Sequence, residues 1–319
     1  MIEYLACGNV MSDEVVQPDG FHSERHMGGP AFFALSGIRL WTKSCKLVSS
    51  VGADFADTYG AWMRNNGVSQ ESVRVEAEHT SCYELSYNED GSGRGARSYY
   101  GEENLGYLKT HPDRIDDAAT RDVKGIYMAQ GADRVIWKKL EDLKIKYGFQ
   151  IMWELEYFNS GRDLERVKEV MPIADMWSLN YNEASRMFDI PRENHAEIIN
   201  ELMKLPIEFT FFRVGKAGAY AVTRSNAWFC PAVDIAPYVD QTGCGNCSTG
   251  AAMYARVAGY EPAMVVTMAN IASGYNCAQY GPYPLYTDEV MAQARALSTE
   301  LVKKVKACAP DRKERMTCR

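Results

Sequence analysis

Short, uniformly apolar runs alternate along this chain with longer amphipathic stretches. Residues 2–8, 45–52, 125–131, 149–156, 174–180 and 208–215 predict strands. They are too evenly apolar to present a wet face, so they fit a sheet covered by helices on both sides. Between them the apolar positions recur at helical spacing. Pro30 suits a first helical position, and Phe32, Phe33, Leu35, Ile38 and Leu40 keep one face. Asp54 is placed to cap a second helix carrying Phe55, Tyr59, Trp62 and Met63, which Gly67 ends. Further helices are predicted over 134–147, 161–170, 182–188, 195–204, 247–258, 262–280 and 287–307. Strand–helix alternation in this order predicts a largely parallel sheet, in one α/β domain spanning residues 1–319.

Two segments break the pattern. Residues 80–104 alternate polar and apolar positions, turn through a Gly-rich stretch at 90–95, and return. Residues 12–27 are polar and extended, with turn residues inside. Together they predict a small β sheet projecting from the domain, a lid over a pocket. The polar tail, residues 309–319, is expected to fray.

Composition narrows the function classes. The chain has 319 residues, 46% of them hydrophobic and 24% charged, as soluble domains do. A formal net charge of -7 argues against a nucleic-acid surface. No apolar run reaches the roughly 18 residues of a membrane span, and the first residues lack a basic leader, so a cytoplasmic location is expected. Nine cysteines at irregular spacing do not outline a disulfide scaffold, and none of the five histidines lies near a Cys pair as a structural zinc site would require.

The candidate chemistry centres on residues 239–260, VDQTGCGNCSTGAAMYARVAGY. Cys244 and Cys247 have the spacing of a dithiol redox pair. Gly243 and Gly245 read instead as a turn opening a helix, whose free N–H groups bind phosphate. The small residues that follow, Ser248 to Ala252, let a helix or a nucleotide approach closely. The glycine reading has the better context, because no thioredoxin-sized unit is delimited. It also has company: Gly28 and Gly29 open the first helix, Asn180 and Glu183 form an N-x-x-E pair ending a strand, and Arg213, Gly215 and Gly218 form a second Gly-rich turn.

As a set, in order and spacing over nearly the whole chain, these pieces resemble the ribokinase-like (PfkB-type) kinases of carbohydrates and nucleosides. The resemblance implies a three-layer α/β/α sandwich with a mostly parallel sheet and a small β lid. It implies ATP and Mg2+ as cofactors, a sugar or nucleoside as the small-molecule partner, and neither nucleic acid nor membrane; it leaves a homodimer through the lid open. Carried over residue by residue, it puts Asp13, Gly28, Gly29 and Phe33 at the acceptor substrate, with Phe33 where the family has a sugar-binding Asn. Asn180, Arg213, Gly215, Gly218 and Asn270 fall at the nucleotide, with Arg213 in place of a Thr, and Glu183 at the metal through water. Gly243, Cys244 and Gly245 fall on the anion hole that follows Asp240 and Thr242, and Asn246 falls on the catalytic Asp. Lid tyrosines 83, 87, 99 and 100, residues 157–163, and Glu154 or Glu156 at a strand end are further pocket candidates.

Asn246 and Phe33 are the departures. An Asn carbonyl orients a hydroxyl but does not take its proton, and losing a general base costs about 10²–10⁴ in rate. Three readings stay open: another carboxylate serves, with Asp13 a candidate; the substrate needs little base help; or the protein binds sugar and nucleotide without turnover. If only the base is missing, Asn246→Asp is expected to fold normally and to raise the rate about tenfold or more. Phe33 either stacks on a ring of the substrate or faces the core.

Overall fold

The computed structural model describes residues 1–89, 93–101, 108, 110–155, 164–310 and 316–318. The chain opens with β1 (Tyr4–Cys7), β2 (Met11–Val16), β3 (His26–Gly28), α1 (Pro30–Arg39), β4 (Cys45–Gly52), α2 (Phe55–Asn65), β5 (Val73–Ala77), β6 (Ser81–Tyr87) and β7 (Gly93–Ser98). It continues through α3 (Pro112–Ala118), β8 (Gly125–Gln130), α4 (Arg134–Tyr147), β9 (Gln150–Leu155), α5 (Leu164–Val170), β10 (Met176–Asn180), α6 (Tyr181–Phe188), α7 (His195–Leu202) and β11 (Phe209–Arg213). It closes with β12 (Gly218–Val222), β13 (Ala227–Pro231), α8 (Cys244–Val257), α9 (Pro262–Asn276), α10 (Asp288–Leu301), β14 (Lys306–Pro310) and β15 (Met316–Cys318).

The main sheet runs β5-β4-β1-β8-β9-β10-β11-β12-β13-β14-β15. From β5 to β11 neighbours are parallel; from β11 onward each pair is antiparallel. Alternate residues of one strand enter opposite cores. Tyr4 and Ala6 of β1 join Phe32, Trp62 and Met253 on one face, while Leu5 and Cys7 join Trp137, Trp153 and Trp177 on the other. Burial on both faces is why these strands carry no polar alternation. Among the described residues no helix is long and apolar enough to cross a membrane.

β3, β2, β6 and β7 make a separate four-stranded sheet drawn from the two segments that break the apolar pattern, with β2 and β6 parallel. Other expectations are corrected. The helix expected over 287–307 ends at Leu301, passes through a 3-10 turn at Val302–Lys304, and gives way to β14, which pairs with β13. The tail does not simply fray, since β15 extends the sheet. Thr287 caps α10 from its hydroxyl, but Asp54 does not cap α2. Asp54 Oδ1 accepts instead from the Thr80 amide, at 2.7 Å, and from its hydroxyl, at 2.6 Å. Among the described residues seven cysteines are free thiols, and Cys308, buried on β14, is disulfide-bonded.

The small residues of α8 serve helix packing. A Cβ on Gly250 would lie 2.2 Å from the Ala34 carbonyl oxygen, and one on Gly37 1.9 Å from that of Cys247. The close crossing of α1 and α8 brings the start of α8 against the segment that carries the acceptor candidates.

Candidate active site

Gly243, at φ 75°, is the N-cap of α8, so the helix starts at Cys244, one turn earlier than the sequence suggests. The Cys244 amide donates to the Gln241 carbonyl, at 3.1 Å, and the first helical bond runs from the Cys247 amide to the Gly243 carbonyl, at 2.8 Å. By their place in the first turn, the Gly245 and Asn246 amides have no helical acceptor. No side chain caps this end, whereas Asp133, Asn180 and Thr287 cap α4, α6 and α10. An uncapped first turn, with the positive end of the helix dipole behind it, fits a phosphate oxygen.

The acceptor candidates gather beside this turn. A Cβ on Gly243 would sit 2.2 Å from the Phe33 ring, so only glycine fits over it. Phe33 is 2% exposed, which places its ring in the core beneath the turn. Asp13 is 4% exposed, and its Oδ1 has no hydrogen-bond partner among the described residues. Burial, then the nearby Asp240 charge, hold the Asp13 carboxyl well above the usual carboxylate range, against a bond from the Gly29 amide. A Cβ on Gly28 would meet Asp13 Oδ2 at 1.9 Å, and one on Gly29 would meet the Met11 amide at 2.5 Å. The glycine pair is thus what lets β3 and α1 close on β2. The lid reaches the same turn: Tyr87 of β6 lies 3.0 Å from the Thr242 hydroxyl, which donates to Asp240 Oδ1 at 3.0 Å.

Behind the turn lies a buried polar network at the C-terminal edge of the parallel strands. Asn246 donates from Nδ2 to Glu154 Oε2, at 3.1 Å, and to the Tyr127 hydroxyl, at 3.2 Å. Tyr127 donates to the same Glu154 oxygen at 2.6 Å. The other Glu154 oxygen pairs with Arg213 at 2.7 Å, and Arg213 lies 3.8 Å from Glu183 Oε2. Burial works against the Arg213 charge, but Glu154 and Glu183 outweigh it and raise its pKa. A Cβ on Gly245 would lie 2.1 Å from the Arg213 guanidinium, so this glycine makes room for the arginine.

Asn180 and Glu183 form a complete capping box on α6. The Asn180 side chain accepts from the Asn182 and Glu183 amides, and Glu183 Oε2 accepts from the Asn180 amide at 2.7 Å. Burial first, opposed by Arg213, pushes the Glu183 carboxyl up to about 7. Among the described residues no three His, Cys, Asp or Glu side chains are grouped to hold a metal ion. Glu183 fits a role through water, with Oε1 left outside the cap. Gly218 and Asn270 converge on β13: a Cβ on Gly218 would lie 2.2 Å from the Cys230 carbonyl oxygen, to which Asn270 Nδ2 donates at 2.8 Å. Gly215, at φ 62°, turns the chain beside the Tyr181 ring.

The cysteine contact at this turn is a different one from the sequence pair. Cys244 Sγ lies 2.9 Å from Cys277 Sγ, at the end of α9, whereas Cys247 is buried and directed at the Ala272 carbonyl. Tyr127 and Cys277 were not singled out by sequence. Tyr127 hides within an evenly apolar strand, and Cys277 is 33 positions from its neighbour. Glu156 and residues 157–163 lie outside the described residues.

A mostly parallel sheet between two helical layers, with a small second sheet at the edge where an uncapped helix begins, is the ribokinase-like fold. Solved structures share it. A probable sugar kinase from Rhizobium etli superposes with a TM-score of 0.73 at 17% identity, over 93% of this chain and 99% of that one. Adenosine kinase from Sinorhizobium meliloti gives 0.74 at 16% identity, over 92% and 99%. A Burkholderia thailandensis nucleoside kinase in complex with inosine gives 0.68 at 18%, over 92% and 96%. The model of the pfkB family carbohydrate kinases matches residues 7–288, and the chain belongs to that family. No curated protein matches it.

Proposed function

We propose that this protein phosphorylates a hydroxyl group of a sugar or nucleoside, using ATP and magnesium. The observation that carries the reading is the uncapped start of α8, with its free Gly245 and Asn246 amides, packed through Gly243 onto Phe33 of α1, the helix whose N-cap Gly29 closes on the strand of Asp13. Magnesium-bound ATP supplies the phosphoryl group and much of the countercharge. The chain supplies position and field, which is most of what a loose phosphoryl-transfer transition state needs. The Gly245 and Asn246 amides face developing negative charge, Asn246 Oδ1 orients the attacking hydroxyl, and Asp13 Oδ1 receives a second hydroxyl. The hydroxyl oxygen bonds the γ-phosphorus as the bond to the β–γ bridging oxygen breaks and ADP leaves, and the hydroxyl proton passes late to an oxygen of the transferred phosphoryl. Glu183 would hold magnesium through water, and Gly215, Gly218 and Asn270 would border the nucleotide.

A second reading, binding of the same ligands without turnover, is favoured by one observation: the residue at the base position is an amide already engaged with Glu154. Thermal unfolding against ribose, fructose, adenosine and inosine, with and without magnesium-ATP, tests binding. A rise in Tm that needs magnesium-ATP and is enlarged by one acceptor is expected. No shift with any combination contradicts both readings.

A further inference from the structure

The contacts of Asn246 dictate which end of its amide faces which way. Glu154 Oε2 is a carboxylate oxygen and only accepts. The Tyr127 proton is directed at that same oxygen, so the hydroxyl offers residue 246 a lone pair. Residue 246 therefore meets two acceptors, at 3.1 and 3.2 Å, and a side chain with a donor is required. Asn satisfies both with Nδ2, which turns Oδ1 away from the network. Asp has no donor when ionised and would place a second carboxylate about 3 Å from the first. Glu154 is 5% exposed, so water does not screen the pair.

We propose that Glu154 and Tyr127 are the positioning residues of this site: they hold Asn246 by its nitrogen, so that its carbonyl oxygen is the acceptor presented to the substrate hydroxyl. The negative charge at this corner lies on Glu154, anchored by Arg213, and not on residue 246. What Oδ1 faces rests on the kinase reading; the donor–acceptor pattern does not. The inference reverses the expectation that Asn246→Asp simply restores a base. In that variant the new carboxylate meets Glu154, and the charges facing it are those of Glu154 on β9, Arg213 on β11 and Glu183 at the start of α6, with Tyr127 of β8 the remaining titratable neighbour. Two adjoining buried carboxylates share a proton, and the later ionisation is driven upward.

The test compares wild type, Asn246→Asp, Asn246→Asp/Glu154→Gln and Tyr127→Phe. The first arm is urea unfolding from pH 5 to 8 with no ligand. A carboxylate whose folded pKa is raised stabilises fully at low pH, and that contribution fades as pH rises through the folded value. Asn246→Asp should therefore lose stability relative to wild type progressively from pH 5 to 8. Adding Glu154→Gln exchanges donor for acceptor across the contact, and the difference from wild type should become flat with pH. A pH-independent difference for the single variant, or an equally steep one for the double, overturns the proposal. The second arm is magnesium-ATP consumption with the acceptor that gives the largest Tm shift. Tyr127→Phe should lower kcat about tenfold and leave the acceptor KM within about twofold, because it loosens Asn246 without touching substrate. Unchanged kcat overturns the positioning role. Absence of turnover in wild type would count against the kinase reading alone, since the unfolding arm contains neither nucleotide nor acceptor.

Discussion

Gly245 shows how one missing side chain serves two partners. Its backbone offers an amide to the proposed anion site, and its empty side accommodates Arg213, which is locked to Glu154. Gly245→Ala should push the guanidinium off its partner and leave buried charge uncompensated, a loss of about 3 kcal/mol. Urea unfolding measures it; a change within about 0.5 kcal/mol would mean that the arginine repacks freely. Glu183 makes the second residue-scale prediction. Its carboxyl titrates near 7 in the folded protein, above its ordinary value, so its proton favours folding. That contribution is full below the unfolded pKa and is lost as pH rises toward and through 7. Glu183→Gln keeps the capping box, since Gln caps as Glu does. The fall in unfolding free energy between pH 5 and 8 should be smaller in the variant than in wild type. An equal fall would assign the titration elsewhere, with Asp13 the next candidate.

The elements explain what could be read in advance. The parallel strands and most helices were legible, because burial on both sheet faces removes polar residues and leaves a clear apolar run. β5 was not: its residues are half-buried or exposed, and it carries no such run. β13 was missed because it is five residues long and mixes buried with half-buried and exposed positions, and β14 because it directly follows α10 and its 3-10 turn, where the helical spacing was carried too far. The glycine turn was legible from backbone geometry, whereas the N-x-x-E pair and Asp13 were legible only through the resemblance to the ribokinase-like kinases. The network behind them was not, since Tyr127, Glu154 and Arg213 come from three strands and meet only across the sheet. The cysteines make the same point. The pair in contact joins the start of α8 to the end of α9, and the Cys244 contact draws the Cys277 thiol below its ordinary value. With hydrogen peroxide, reduced to two waters as the two thiols form one S–S bond, peptide mapping should recover a Cys244–Cys277 link. A link between Cys244 and Cys247 would restore the reading drawn from their spacing.

At the scale of the molecule, the small sheet is joined to the glycine turn at Tyr87 and Thr242, and to the start of α2 at Thr80 and Asp54. Its outer strand β7 is exposed along most of its length. An unpaired edge of this kind is a template for another strand, and we expect a second copy of the chain to cover it. Small-angle scattering should give a dimer mass at micromolar concentration, and Ala96→Pro on β7 should reduce it to a monomer; a monomer in wild type excludes this arrangement. Each of these features bears on the proposed transfer of a phosphoryl group to an acceptor hydroxyl at the start of α8. The most direct measurement is mass spectrometry of products after incubation with magnesium-ATP and, separately, ribose, fructose, adenosine and inosine. One monophosphorylated acceptor with matching ADP release is expected, both lost in Gly243→Ala, where the new Cβ meets Phe33. ATP and every acceptor recovered unchanged, with wild type folded and binding both, would contradict it.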